Sequence, residues 1–202
     1  MDNYSSGRQK RGFLSVQALV DEICPNNTVL DVNSVLVAED VAIGNNNIFY
    51  PGVVIERQGD GKITIGDDNV FYPGVYVVCS AGEIVIGDAN EFGPSGLTIK
   101  SNMPTASISI GSQGRYCDGA NIMGKTSLGS GSQVLGNITV QNCRLSDGGN
   151  FKEPDPDTRA AVLKGFGLAR DITVEKGQVI NGAGDFSKAS VEWQRAYHPK
   201  AG

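Results

Sequence analysis

Hydrophobic residues recur along this chain with a period that fits neither a helix nor a simple alternating strand. The segment "ITIGDDNVFYPGVYV" (63–77) has a close copy in "VAIGNNNIFYPGVVI" (41–55). Each runs aliphatic-Gly, then Asn four residues after the aliphatic, an aromatic two further on, and Pro-Gly. Aliphatic-Gly pairs recur at Ile43, Ile65, Ile86, Ile110 and Leu128, at intervals of 22, 21, 24 and 18 residues. The last interval is three sixes, and there the spacing is unbroken: Ile110, Tyr116, Ile122, Leu128, then Val134 and Val140. Six is far from the helical 3.6 and is not two-residue alternation. It predicts a triangular coil, with one short strand and one turn per six residues and three sides per revolution.

Stacking such coils about 4.8 Å apart turns equivalent positions into columns. Ile43, Ile65, Ile86, Ile110 and Leu128 form one apolar column, and Phe49, Phe71, Phe92 and Tyr116 an aromatic second. Ile55, Val77, Thr98 and Ile122 are expected on the third side. Asn47, Asn69 and Asn90 form a polar column whose amides can hydrogen-bond from level to level. The glycine after each aliphatic residue suits a corner that needs either positive φ or close backbone approach. Tyr50-Pro51-Gly52 and Tyr72-Pro73-Gly74 supply turn chemistry for the next corner.

This pattern resembles the hexapeptide-repeat family of left-handed parallel β-helices. The resemblance covers roughly 37–184 and implies an all-β fold: triangular coils, one long excursion loop and a C-terminal α-helix. The left-handed sense comes from the resemblance alone, since crossovers usually run right-handed. The organisation expected is an N-terminal tail and cap (1–36), a β-helix (37–184) with an insert at 146–161, and a C-terminal helix and tail (185–202). Coil intervals above eighteen leave extra residues near Arg57, Cys79 and Ser101, predicting three small loops stacked at one corner. Per-repeat insertions on one face often mark a contact surface. "SDGGNFKEPDPDTRAA" (146–161) cannot continue a ladder and should loop outwards. The six-residue rhythm then resumes near Val162, with Leu168, Val174 and Ile180. "DFSKASVEWQRAYHP" (185–199) reads as a capped helix, and 15–27 as a short helix or an edge strand that caps the open end.

Composition narrows the function. A net charge of −5 and a pI near 4.9 argue against nucleic acid as partner. Arg8, Lys10 and Arg11 read as a solvated tail. No apolar run approaches the roughly 20 residues of a membrane span, and "FLSVQALV" runs straight into Asp21 and Glu22 without a cleavage pattern, so a cytoplasmic protein is expected. Cys24, Cys79, Cys117 and Cys143 lack the close spacing of zinc or redox sites and read as free thiols.

Three functions compete on this fold. Acyl transfer, common in the family, generally uses a His as general base. The one His here, His198, lies beyond the coils and reads as a tail residue. A carboxylate base would then be Asp118 or Asp147, with a coenzyme A thioester as donor and a sugar or amine as acceptor. The γ-class carbonic anhydrases share the coil architecture but hold zinc with three histidines, which this chain cannot supply; no metal site is expected. The third function is a non-catalytic binding or scaffold module, similar to the β-helical pointed-end subunits of dynactin, and it is the leading expectation. The resemblance also implies a homotrimer, with grooves between prisms. Arg115, Asn121, Lys125 and Asn142, outward and polar on the unbroken coils, are the ligand-binding candidates. A protein partner is expected on the stacked loops near Arg57, Cys79 and Ser101.

Overall fold

The computed structural model describes residues 7–198. Among these, nineteen strands, most of them short, form a parallel β-helix with three walls, and a twentieth pairs antiparallel at its end. Wall A carries Ala42–Ile43, Lys62–Ile65, Lys125–Leu128, Arg144–Leu145 and Thr173–Val174. Wall B carries Ile48–Phe49, Val70–Phe71, Glu91–Phe92, Arg115–Cys117 and Gln133–Leu135. Wall C carries Leu36–Val37, Val54–Arg57, Ala120–Met123 and Ile138–Gln141. The long strands Val75–Ile86 and Leu97–Ile110 turn from wall C into wall A of the next coil.

The aromatic column stands as expected. Phe49 and Phe71 stack with centroids 5.0 Å apart, Phe71 and Phe92 4.9 Å, and Phe92 and Tyr116 5.5 Å. All four are fully buried, and Val134, Leu163 and Ile180 continue the column below them. Tyr116 keeps its hydroxyl satisfied by hydrogen bonding Ser132 Oγ at 3.0 Å. Inside wall C, the register corrects one expectation: Val77 pairs with Ile99, and Thr98 with Tyr76. One extra residue in "GPSG" (93–96) shifts the side by one place, so the apolar Ile99 takes the interior. The same correction applies after the insert. Leu163 and Ala169 occupy the interior, while Leu168 pairs with Thr139 and is only half-buried.

The buried asparagines form a continuous amide ladder that begins one level earlier than expected, at Asn27. Asn47 donates to Asn27 Oδ1, Asn69 to Asn47 Oδ1, and Asn90 to Asn69 Oδ1, each at 3.0 Å through Nδ2. The backbone N–H of Gly114 closes the ladder on Asn90 Oδ1 at 2.8 Å. Each amide also donates to a carbonyl of the coil ahead, as Asn69 Nδ2 does to Gly87 O at 2.9 Å. Burial in this low-dielectric interior is tolerable because the polar atoms are paired.

A second ladder explains the glycines. Asn45 N donates to Asp67 Oδ1, Asp67 N to Asp88 Oδ1, Asp88 N to Ser112 Oγ, Ser112 N to Ser130 Oγ, and Ser130 N to Asp147 Oδ1. At Gly44, Gly66, Gly87 and Gly111 the capping side chain fills the space beside the glycine above it. A Cβ on Gly66 would lie 2.1 Å from Asp88 Oδ1, so close approach, not positive φ, is what requires glycine there. The left-handed residue of the corner falls two places later, at Asn46, Asp68, Ala89 and Gln113.

Both ends are covered. Val16–Ala18, capped by Ser15 Oγ accepting from Ala18 N at 3.0 Å, continues into a wider turn, Leu19–Ile23, that buries Leu19 and Ile23 over the first coil. Arg8 is not part of a solvated tail, because its guanidinium donates to the carbonyls of Val32, Asn33 and Val35. The expected C-terminal α-helix is not formed. Short 3-10 turns, Phe186–Lys188 and Gln194–Tyr197, flank a strand, Val191–Trp193, that pairs antiparallel with Gln178–Ile180. The spacing accounts for it: Val191 and Trp193 are two apart, the period of a strand, and the last coil offers an unpaired edge to cover.

Candidate functional site

The insert 146–161 folds back across wall B instead of standing away from it. Asn150 Nδ2 donates to Gln113 Oε1 at 3.0 Å, and Arg159 Nε donates to the Glu153 carbonyl at 2.7 Å. The 3-10 turn Pro156–Thr158 buries Pro156. The C-terminal segment meets the insert from the other side. Buried Gln194 donates through Nε2 to the Ala160 carbonyl at 2.6 Å, and the Arg195 guanidinium grips the carboxylates of Asp157, at 2.6 Å, and Asp155. That two-carboxylate grip holds the Arg195 guanidinium above its already high pKa.

Between insert, C-terminal segment and wall B lies a cleft of about 360 Å³. Its floor is the outward face of four successive coils: Arg115 above Gln133, Val162 and Val179, with Leu135 and Lys164 alongside. Phe151 and Arg159 of the insert form one side, and Gln194, Tyr197 and His198 the other. The Arg115 guanidinium sits 4.5 Å over the Phe151 ring, and its Nε lies 3.4 Å from Glu91 Oε2, its register partner one coil up. His198 therefore lines a concave site, although its own side chain is exposed.

Of the sequence-derived candidates, only Arg115 enters this cleft. Asp147 is the last rung of the corner ladder, its Oδ1 accepting from Ser130 N at 2.7 Å. Asp118 holds a left-handed corner (φ 62°) and accepts the Cys117 thiol at 3.1 Å. Burial, then that carboxylate, pushes the Cys117 pKa up to about 12, which makes it a poor nucleophile. Asn121 Nδ2 donates to Gly119 O at 3.2 Å and braces the same corner. Asn142, left-handed at φ 55°, accepts from Lys125 N and donates to Asp171 Oδ1, both at 3.0 Å. Lys125 lies on wall A and Asn121 on wall C, so within one chain these residues face away from Arg115.

The stacked loops expected near Arg57, Cys79 and Ser101 do share one corner. Gln58 N donates to Cys79 O, Cys79 pairs with Ser101, and Ser101 Oγ donates to Ala81 O at 2.6 Å. A second hollow, about 480 Å³, opens there between Lys62, Glu83 and Thr105. All four cysteines are free, and no group of three or more His, Cys, Asp or Glu is arranged to hold a metal among the described residues. No helix among them is long and apolar enough to cross a membrane.

Apart from Arg115, sequence reading assigns none of the lining residues to a site, and it places His198 in the tail. The available signals were an aromatic in an otherwise polar insert and the single His. No family model and no curated protein matches the chain. Among solved structures it is similar to the UDP-N-acetylglucosamine acyltransferase of Francisella novicida, at 16% identity and a TM-score of 0.34, over 82% of this chain and 70% of that one. So distant a likeness assigns no activity, and the parallel β-helix stands on the strand register itself.

Proposed function

We propose that this chain is a non-catalytic scaffold or binding protein, assembled as a homotrimer, with a protein partner docking on the stacked loops near Arg57, Cys79 and Ser101. The observation that carries this reading is the employment of Asp118 and Asp147. Each carboxylate accepts a hydrogen bond at a coil corner and neither lines the wall B cleft, where a base would have to meet an acceptor. The loop corner adds exposed Met103 and a hollow of mixed polarity as a docking ledge. Sedimentation of the purified chain should give a trimer; a stable monomer at micromolar concentration refutes the assembly.

The second reading is acyl transfer from a coenzyme A thioester to a sugar or amine. It is favoured by one feature, the position of His198 beside Arg115, Arg159 and Lys164. Acetyl- and succinyl-coenzyme A separate the two. The scaffold reading expects no rise in Tm and no release of free thiol with amine or sugar acceptors. Thiol release that disappears in His198→Ala would overturn it.

A further inference from the structure

The cleft on wall B is electrically at odds with the rest of the chain. The protein carries a net charge of −5, yet the residues lining this cleft include Arg115, Arg159, Lys164 and His198 and no carboxylate. Glu91 compensates Arg115 from outside the lining, and Arg195, the next cation along, is already committed to Asp155 and Asp157. Lys164 makes no ion pair among the described residues, and Arg159 uses only its Nε, on a backbone carbonyl. Gathering such groups around one hollow raises a positive potential that an anion relieves.

Apart from Gln133 and Gln194, the rest of the lining is apolar or aromatic: Leu135, Phe151, Val162, Val179 and Tyr197. Val162 and Val179 in the floor are nearly buried, and the rings of Phe151 and Tyr197 flank them. A space of about 360 Å³ takes a small molecule, not a polymer. Two guanidinium groups offer forked donors that fit phosphate or carboxylate oxygens, and Lys164 adds a point charge. With Arg115 compensated by Glu91, Arg159 and Lys164 leave two permanent charges in the lining, which a dianion matches better than a monoanion.

We propose that this cleft is a binding site for a small phosphate monoester carrying a flat apolar body: the phosphate on Arg159 and Lys164, the body against Phe151 and the valine floor. The inference goes beyond the scaffold reading and does not depend on it.

Titration calorimetry on the full chain tests it, with phenyl phosphate as probe and phenol, benzoate and inorganic phosphate as comparisons. Phenyl phosphate should bind tightest of the four, and more weakly as salt rises from about 50 to about 500 mM. Lys164→Gln should weaken it about tenfold, the loss of one charge-assisted hydrogen bond. The Lys164 side chain is exposed, so Tm should not change, and Lys164→Glu should abolish binding. Phenyl phosphate binding no better than phenol, or equally well to Lys164→Gln and the native chain, overturns the proposal. So does benzoate binding as tightly, which would make the site one for carboxylates, or inorganic phosphate doing so, which would remove the apolar subsite. None of these outcomes bears on trimer assembly or on a partner at the loop corner.

Discussion

Replacing Asn69 with Ala removes the middle rung of a fully buried amide ladder. Four hydrogen bonds go: two donated by Nδ2, to Asn47 Oδ1 and Gly87 O, and two accepted by Oδ1, from the backbone N–H and Nδ2 of Asn90. Some partners keep a second contact. Asn47 Oδ1 still accepts from Asn69 N, and Asn90 Nδ2 still reaches Gly111 O. The Asn90 N–H and the Gly87 carbonyl are left without their partner in a dry interior. At about 1–3 kcal/mol for each orphaned buried group, the loss is about 2–6 kcal/mol, a large share of a typical stability of about 5–15 kcal/mol. Asn45→Ala is the control, because Asn45 is exposed and its amide makes one 3.4 Å contact, to Asp67; it should change stability by less than about 0.5 kcal/mol. Asn69→Asp keeps the acceptor but loses both donor bonds and buries a charge, so it should cost at least as much as Ala. Urea unfolding followed by circular dichroism reads all three. A cost below about 1 kcal/mol for Asn69→Ala, or one equal to that of Asn45→Ala, would refute the idea that the ladder holds the coils in register.

Alkali should destabilise the protein. Burial first, with hydrogen bonds to carboxylates second, raises the Cys117 pKa from 9.0 to about 12 and that of Tyr76 from 10.0 to about 12, and burial raises Tyr116 as well. The folded chain keeps protons that the unfolded chain sheds, so stability present below pH 9 is lost as pH climbs from about 9 towards about 12. A urea midpoint unchanged between about pH 8 and about pH 11 would contradict this. Iodoacetamide should label half-exposed Cys24 first and spare buried Cys79, Cys117 and Cys143, as read by peptide mass. Equal labelling of Cys117 and Cys24 would show the corner to be open. Ala89 holds a left-handed corner (φ 55°) where neighbouring coils place Asn46, Asp68 and Gln113. Ala89→Gly relieves about 1–2 kcal/mol of backbone strain against a smaller entropic cost in the unfolded chain, so Tm should rise; a fall would count against strain at that corner.

The coils were legible because their determinants are local and repeated. A six-residue period marks most inward positions, and an aliphatic-Gly pair followed by Asx or Ser marks one corner of each coil from Ile43 to Leu128. Where the period slipped by one, at Thr98 for Ile99 and at Leu168 for Ala169, the cause was a single residue gained in "GPSG" or a phase lost across the insert. Neither leaves a trace in spacing until strands are paired. The role of Asp147 was readable in the same way, since Leu145-Ser146-Asp147 occupies the place of Ile65-Gly66-Asp67.

The cleft was not legible, for the opposite reason. Its floor comes from coils at 115, 133, 162 and 179, its sides from an aperiodic insert and from a C-terminal segment that looked helical. No local rule brings Arg115 to Phe151 or Gln194 to Ala160; the first contact needs the insert folded onto wall B, and the second needs Val191–Trp193 closing the bare edge of the last coil. Covering the edge carries the chain onward to the insert, where Arg195 fastens it, and the gap left between the two fastened segments is the cleft. The structural need to cap a parallel β-helix thus also builds a concave, positively lined surface on wall B. The cap and the cleft should therefore fail together: a chain that cannot form the Gln194 and Arg195 contacts should lose the proposed phenyl phosphate binding, read by calorimetry, while its circular dichroism still shows the coils.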